Sequence, residues 1–360
     1  MVANASPALA TLRVDHVGSL LRPDSLKAVI EQFAQGQATA EDLRAAQDAA
    51  IRDVIARQEA IGLPIVTDGE FRRINFQDSF ADSVAGYGTG TLINRVPVSA
   101  RLRLVRNQPL EEFRFSRAVA QRPVKMTLVS ADRVTQRFDW EASRAVYPEI
   151  EAFVADVVSI ERQIVGELVA AGCAYVQIDA PGYTAYLDGP SLAEMRARGE
   201  DPDANLERSL RADNAVIAGS PGVTFGIHLC RGNTAADVAP PRAGHYDAIA
   251  ERLFNTLDHH RFLLEYDTER AGSFAPLRFV PKGKVVVLGL VSTKVREPEA
   301  ADDLRRRIEE ATRYIAVEQL ALSPQCGFAS RLNVGANRLS EAEQWRKLEL
   351  VQRVANEVWG

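Results

Sequence analysis

The sequence has 360 residues, 46% hydrophobic and 25% charged, with 43 Lys and Arg against 48 Asp and Glu for a net charge of -5. That balance gives no footing for a nucleic-acid partner, and no run reaches the about 18 apolar residues of a membrane span. Three cysteines spread over so long a chain do not make a disulfide framework.

The opening segment, MVANASPALATLRVDHVGS, lacks the charged-then-apolar layout of a secretory leader and predicts a cytoplasmic protein. Residues 1–10 are Ala-rich and are expected to fray. Then a pattern sets in. Short apolar runs end in polar residues and alternate with long amphipathic segments. The runs are 12–19, 63–70, 123–130, 175–181, 223–230, 261–267, 284–292 and 320–328. They are continuously apolar rather than alternating, as buried parallel strands are. Helices are predicted over 148–172, which stops at Gly172, over 299–314, and over 340–358, where Ser340 and Glu343 form a capping-box pattern. Eight such units predict an α/β fold, a (β/α)8 TIM barrel. Residues 81–122 do not fit the repeat and predict an inserted hairpin or excursion after the second strand. A second loop, rich in Gly, Pro and Ala, covers 231–246. No linker divides the chain, so residues 1–360 are expected to form one domain.

Barrel sites are built where the strands end. The ends here are Gly18-Ser19, Asp68-Gly69-Glu70, Asp179, His228-Leu229-Cys230, Glu265 with Asp267, and Cys326-Gly327. Residues two apart on a strand share a face, so His228 and Cys230 converge. With Cys326 and Glu265 they offer one nitrogen, two sulfurs and one oxygen, a zinc ligand set in which the carboxylate is the exchangeable member. The plainer alternative is a buried His beside a core Cys. Cys173 reads as core; His259 and His260, at the opposite barrel end, read as surface. Zinc with two thiolates is a modest Lewis acid suited to holding an incoming thiol as thiolate, so the implied reaction is S-alkylation. Glu70 and Asp179 would then hold a cationic group such as an α-ammonium, with Ser19 near its carboxylate. Helix capping, or salt bridges with Arg72 and Arg73, would explain both acids equally well.

The segments DHVGSLLRP (15–23), TDGEFRR (67–73), YVQIDAP (175–181), HLCRGN (228–233), FLLEYDTER (262–270), FVPKGKVVVLGLVSTK (279–294) and LALSPQCGFAS (320–330) resemble the cobalamin-independent methionine synthase superfamily. The likeness is to short single-barrel members similar to the catalytic C-terminal half of the two-barrel enzyme. The resemblance implies Zn2+ bound by His228, Cys230, Glu265 and Cys326. It implies homocysteine as the thiol, its amino group on Glu70 and Asp179, and Ser19 near its carboxylate. Three departures concern the methyl donor. Asp179-Ala180-Pro181 stands where the two-barrel enzyme has Asp-Glu-Pro. Val291 or a neighbour stands where a histidine is expected, and Phe138 is the nearest aromatic for stacking on a folate. The donor is therefore open between methyltetrahydrofolate and methylcobalamin types, including a corrinoid protein, and another alkylated small molecule.

The predicted function is zinc-dependent methyl transfer to homocysteine, forming methionine, by a monomer or homodimer with small-molecule substrates. The alternatives are zinc-dependent alkyl transfer to another thiol, and a metal-free lyase of the uroporphyrinogen decarboxylase-like barrel type, for which Arg22, Arg72 and Arg73 would face a polyanion. A third is a barrel with a closed structural zinc and no catalysis.

Overall fold

The computed structural model describes residue 9 and residues 11–87, 95–232, 242–332 and 339–360. The expected fraying of 1–10 falls, apart from residue 9, outside the described residues, as do parts of the two expected loops.

The apolar runs form strands where they were expected. Strands β3 (Lys125–Val129), β4 (Tyr175–Asp179), β5 (Thr224–Leu229), β6 (Arg261–Glu265), β7 (Val285–Val291) and β8 (Leu320–Pro324) lie in sequence order in one parallel sheet. β1 (Val84–Tyr87) and β2 (Val98–Leu104) pair antiparallel and form the inserted hairpin ahead of β3. The helix Gln108–Val119 leads back to the sheet.

The first two runs complete the ring, but only as single bridges. Val14 bridges Leu322 on β8, and Val66 bridges Val124 just before β3. Between these two segments the contacts run mostly through side chains. His16 Nε2 lies 3.3 Å from Ile65 O, and Thr67 Oγ1 donates to Gly18 O at 2.7 Å. The expected strands 12–19 and 63–70 are thus shorter than read. Gly18, Gly69 and Glu70, with φ of 138°, 70° and 60°, turn the backbone out of the ladder.

Alternation inside the strands sorts the core into two layers. Outward residues such as Met126, Ile178, Phe225, Leu264 and Leu288 join one continuous hydrophobic cluster with the surrounding helices. The helices Ile150–Ala170 and Glu341–Trp359 contribute Phe153, Val157, Ile164, Trp345, Leu348 and Val351 to it. The capping box of Ser340 and Glu343 is present. Inward residues divide by side. Val17, Leu263, Val285, Val287 and Ala321 form a small aliphatic cluster. Across from it, at the lower end, Asp15 accepts from Lys125 Nζ at 2.7 Å, Tyr175 Oη at 2.7 Å and Arg261 Nε at 3.3 Å. All four are buried. A Cβ on Gly226 would lie 2.9 Å from Tyr175 Oη, so glycine leaves the space in which the phenol reaches Asp15.

His259 and His260 correct a sequence expectation: both are buried rather than on the surface. His260 Nδ1 accepts from Phe225 N at 3.0 Å, tying the start of β5 to that of β6. Cys173 is core, as expected, and burial pushes its thiol up to about 12. No helix among the described residues is long and apolar enough to cross a membrane.

Candidate metal and substrate site

β5 delivers His228 at its penultimate position and Cys230 directly after its end, on the same inward face. β8 ends at Pro324, and the chain continues through Gln325 to Cys326. The ligand atoms of His228, Cys230 and Cys326 all lie within 4.8 Å of one another, and all three side chains are buried. His228 Nδ1 is 3.2 Å from Leu263 O, which turns Nε2 toward Cys326 Sγ at 3.5 Å. The two sulfurs are pushed in opposite directions. The hydrogen bond from Cys326, helped by His228, holds the Cys230 thiol well below its usual range despite burial. The same hydrogen bond, with burial, pushes Cys326 up. One nitrogen and two sulfurs, buried and converging, with the imidazole oriented by a backbone carbonyl, is a donor set that fits zinc.

Glu265, expected as the fourth ligand, ends β6 but stands outside that group of three. Its Oε1 receives Arg270 Nη2 at 2.6 Å and Lys294 Nζ at 3.3 Å, and its Oε2 receives Arg231 N at 2.7 Å.

The other predicted residues gather at the same end of the barrel. Gly327, next to Cys326, packs so closely on Ser19 that a Cβ there would lie 2.0 Å from Ser19 Oγ. Asp179 is the Cα partner of His228 across β4 and β5. Glu70 is the one non-glycine at positive φ among the described residues. Its amide donates to Asp68 Oδ1 at 2.8 Å, which fixes the turn, and a non-glycine residue held in that region costs about 1–2 kcal/mol. Glu70 and Asp179 are 2% and 5% exposed, and each has one oxygen held. Thr127 Oγ1 donates to Glu70 Oε1, and Gln177 Nε2 donates to Asp179 Oδ1, each at 2.7 Å. The remaining oxygen of each has no hydrogen-bond partner among the described residues. Burial, countered by His228 and reinforced by Glu70, raises the Asp179 carboxyl to about 7.

The arginines are otherwise engaged. Arg73 lies 3.7 Å from Glu70 Oε1 but makes its close pair with Glu112, at 2.6 Å from Nη2. Arg72 pairs with Asp48. Arg22 Nη2 donates to the backbone oxygen of Glu70 at 2.8 Å. Salt bridging therefore accounts for little of Glu70 and none of Asp179. Phe138 is buried and stacks on Phe153 at 3.7 Å between centroids, so it is a core residue rather than an aromatic platform at the mouth. Val291 ends β7, fully buried.

Sequence reading missed Thr127, Gln177 and Lys125. The signal was present: polar residues two apart, Lys125 and Thr127 in KMTLV and Tyr175, Gln177 and Asp179 in YVQID, in runs taken as uniformly apolar.

Residues 13–338 match the family described as cobalamin-independent synthase, catalytic domain. The chain belongs to that family. It is 34% identical over 365 residues to the uncharacterised protein YxjH of Bacillus subtilis, covering 97% of this chain and 95% of that one. It is 24% identical to a methionine synthase of Pyrococcus abyssi, covering 89% and 87%. Among solved structures it is similar to a putative vitamin-B12-independent methionine synthase from Listeria monocytogenes, at TM-score 0.79 and 30% identity, covering 99% of both chains. A B12-independent methionine synthase from Shewanella shares the fold at TM-score 0.78 and 19% identity, covering 97% and 98%. The family supports methyl transfer chemistry on a TIM barrel.

Proposed function

We propose that the protein is a zinc-dependent methyltransferase that moves a methyl group from a methyltetrahydrofolate- or methylcobalamin-type donor to the thiol of homocysteine, forming methionine. The observation that carries this is the juxtaposition of a buried nitrogen–sulfur–sulfur triad with two buried carboxylates, each holding one oxygen free. The triad accounts for a thiol and the acids for an ammonium. An amino-acid thiol has both.

Zinc held by His228, Cys230 and Cys326 would lower the proton affinity of the incoming thiol so that it reacts as thiolate near neutral pH. The chain's own residues do the rest. Glu70 and Asp179 take the ammonium on their free oxygens, and Ser19, packed on Gly327, lies near the substrate carboxylate. Three anchors on one small molecule fix the sulfur for in-line transfer, which is where most of the acceleration of such a reaction comes from. Glu265 is the fourth ligand that the family resemblance implies. Arg270, Lys294 and the Arg231 amide hold its two oxygens, so Glu265 would have to release these partners to join the zinc. The lyase alternative loses support because Arg22, Arg72 and Arg73 are spent on protein groups. We further read the chain as one cytoplasmic domain, 1–360, acting as a monomer or homodimer.

The test is methionine formation from homocysteine by the zinc-loaded protein, with methyltetrahydrofolates, methylcobalamin and a methylated corrinoid protein offered in turn. Product with one donor class supports the reading and names the donor. Bound zinc with no change in its coordination on adding homocysteine would instead mean a closed structural site.

A further inference from the structure

The two acids at the mouth are supported from below in the same way. Arg73 Nη1 donates to Thr127 Oγ1 at 2.9 Å. A hydroxyl that accepts from a cation has its own proton left to give, and Thr127 gives it to Glu70 Oε1. One strand over, Lys125 Nζ donates to Gln177 Oε1 at 2.8 Å. An ammonium only donates, so the amide oxygen must face Lys125 and the amide nitrogen must face away. That nitrogen donates to Val17 O at 2.6 Å and to Asp179 Oδ1 at 2.7 Å. Amide orientation is ordinarily ambiguous; here a cation fixes one end and two acceptors the other. Thr127 and Gln177 are Cα partners across β3 and β4, so the two relays stand side by side. Arg73, Lys125, Thr127 and Gln177 are all buried.

Neither cation makes its closest pair with the acid above it, although Arg73 stands 3.7 Å from Glu70 Oε1. Arg73 pairs closely with Glu112 at 2.6 Å, and Lys125 with Asp15 at 2.7 Å. What reaches Glu70 and Asp179 at hydrogen-bonding distance is a neutral donor. A direct ion pair there would compete with a cationic ligand for the carboxylate charge. A neutral donor orients the carboxylate and offsets part of its desolvation while leaving the charge for a ligand.

We propose that Thr127 and Gln177 are a matched pair of positioning residues, each turned by a buried cation so that it fixes one oxygen of Glu70 or Asp179 and leaves the other for the ammonium of an amino-acid thiol. This rests on the substrate class proposed above. It assigns ammonium selectivity to two residues that need touch neither the substrate nor the metal.

The experiment uses the zinc-loaded full chain and isothermal titration with two thiols: homocysteine, and 4-sulfanylbutanoate, which is homocysteine without its ammonium. Thr127→Val keeps the side-chain shape and removes the hydroxyl; Gln177→Met keeps the length and removes the amide. Each variant is expected to weaken homocysteine about tenfold, the scale of one charge-assisted hydrogen bond, and to leave 4-sulfanylbutanoate within about twofold. Zinc content should match the wild type, and Thr127→Ser should restore homocysteine binding. If Gln177→Met fails to fold, the Thr127 series decides alone. Equal weakening of both thiols, or of neither, overturns the positioning role while leaving the substrate reading intact. A wild-type protein that binds both thiols equally overturns the ammonium reading and the positioning role with it.

Discussion

The two ends of the barrel interior are both charged, and they differ in one respect. At the lower end every charge is answered. Asp15 is met by Lys125, Arg261 and Tyr175, and Lys125 also by Gln177 and the His16 carbonyl. Although burial alone would raise the Asp15 carboxyl, the two cations hold it down at about 2. At the upper end the groups are half answered. Glu70 and Asp179 each have an oxygen without a partner among the described residues, and three atoms able to ligate a metal converge. Buried polar groups are costly unless partnered. A complete network is therefore read as architecture, and an incomplete one as a place that expects a partner from outside.

The comparison breaks most sharply at the sulfurs. Cys230→Ser or Cys326→Ser should each abolish zinc retention and methyl transfer while the fold, followed by circular dichroism, survives. At the lower end the same kind of change should do the reverse. Asp15→Ala leaves Lys125 and Arg261 buried without their shared acid and should cost about 3–5 kcal/mol in urea unfolding. The zinc that remains bound to the folded fraction should not change.

A third buried acid cluster behind the sheet sharpens the contrast through pH. Burial, then the neighbouring Asp132, raises Asp213 to about 7. A carboxyl raised in the folded state favours folding at low pH. Its contribution is full below the unfolded value near 3.8 and is lost as pH climbs to about 7, with a slope of at most about 1.4 kcal/mol per pH unit. Asp15 has the opposite sign: its contribution is present above 3.8 and is lost as pH falls toward 2. Asp213→Asn should make the neutral limb of the stability–pH curve less steep, Asp179 keeping its share, and leave the acid limb. The smallest effect belongs to Glu161, buried with both oxygens unpartnered among the described residues and its carboxyl pushed well up by burial and then by Asp213. Glu161→Leu should stabilise the protein by roughly 1–2 kcal/mol in thermal unfolding, because it removes a buried polar group that nothing satisfies.

How far the sequence could be read follows from the same physics. Strands β3 to β8 were legible because both their faces are buried, and so were His228, Cys230 and Cys326, which end strands. The runs 12–19 and 63–70 were legible but not how short their pairing is, because Gly18 and Gly69 leave the ladder through backbone angles that a propensity does not record. The lower-end network was hidden inside apolar runs. Lys125, Gln177 and Arg261 look like exceptions until β3, β4 and β6 place them around Asp15. Phe138 and His259 were misjudged because chain position says nothing of which side a residue packs on. Glu265 was found as a strand end, but its cations, Arg270 and Lys294, come from two different segments and meet only in the fold.

The most direct test is the zinc content of the purified protein, by elemental analysis after dialysis against a mild chelator. The account predicts about one zinc per chain, the stoichiometry of a single His and two Cys site, and none in Cys230→Ser. Protein prepared without exposure to oxidants that retains no zinc would contradict it, because His228, Cys230 and Cys326 would then be a packed trio of side chains and not a metal centre.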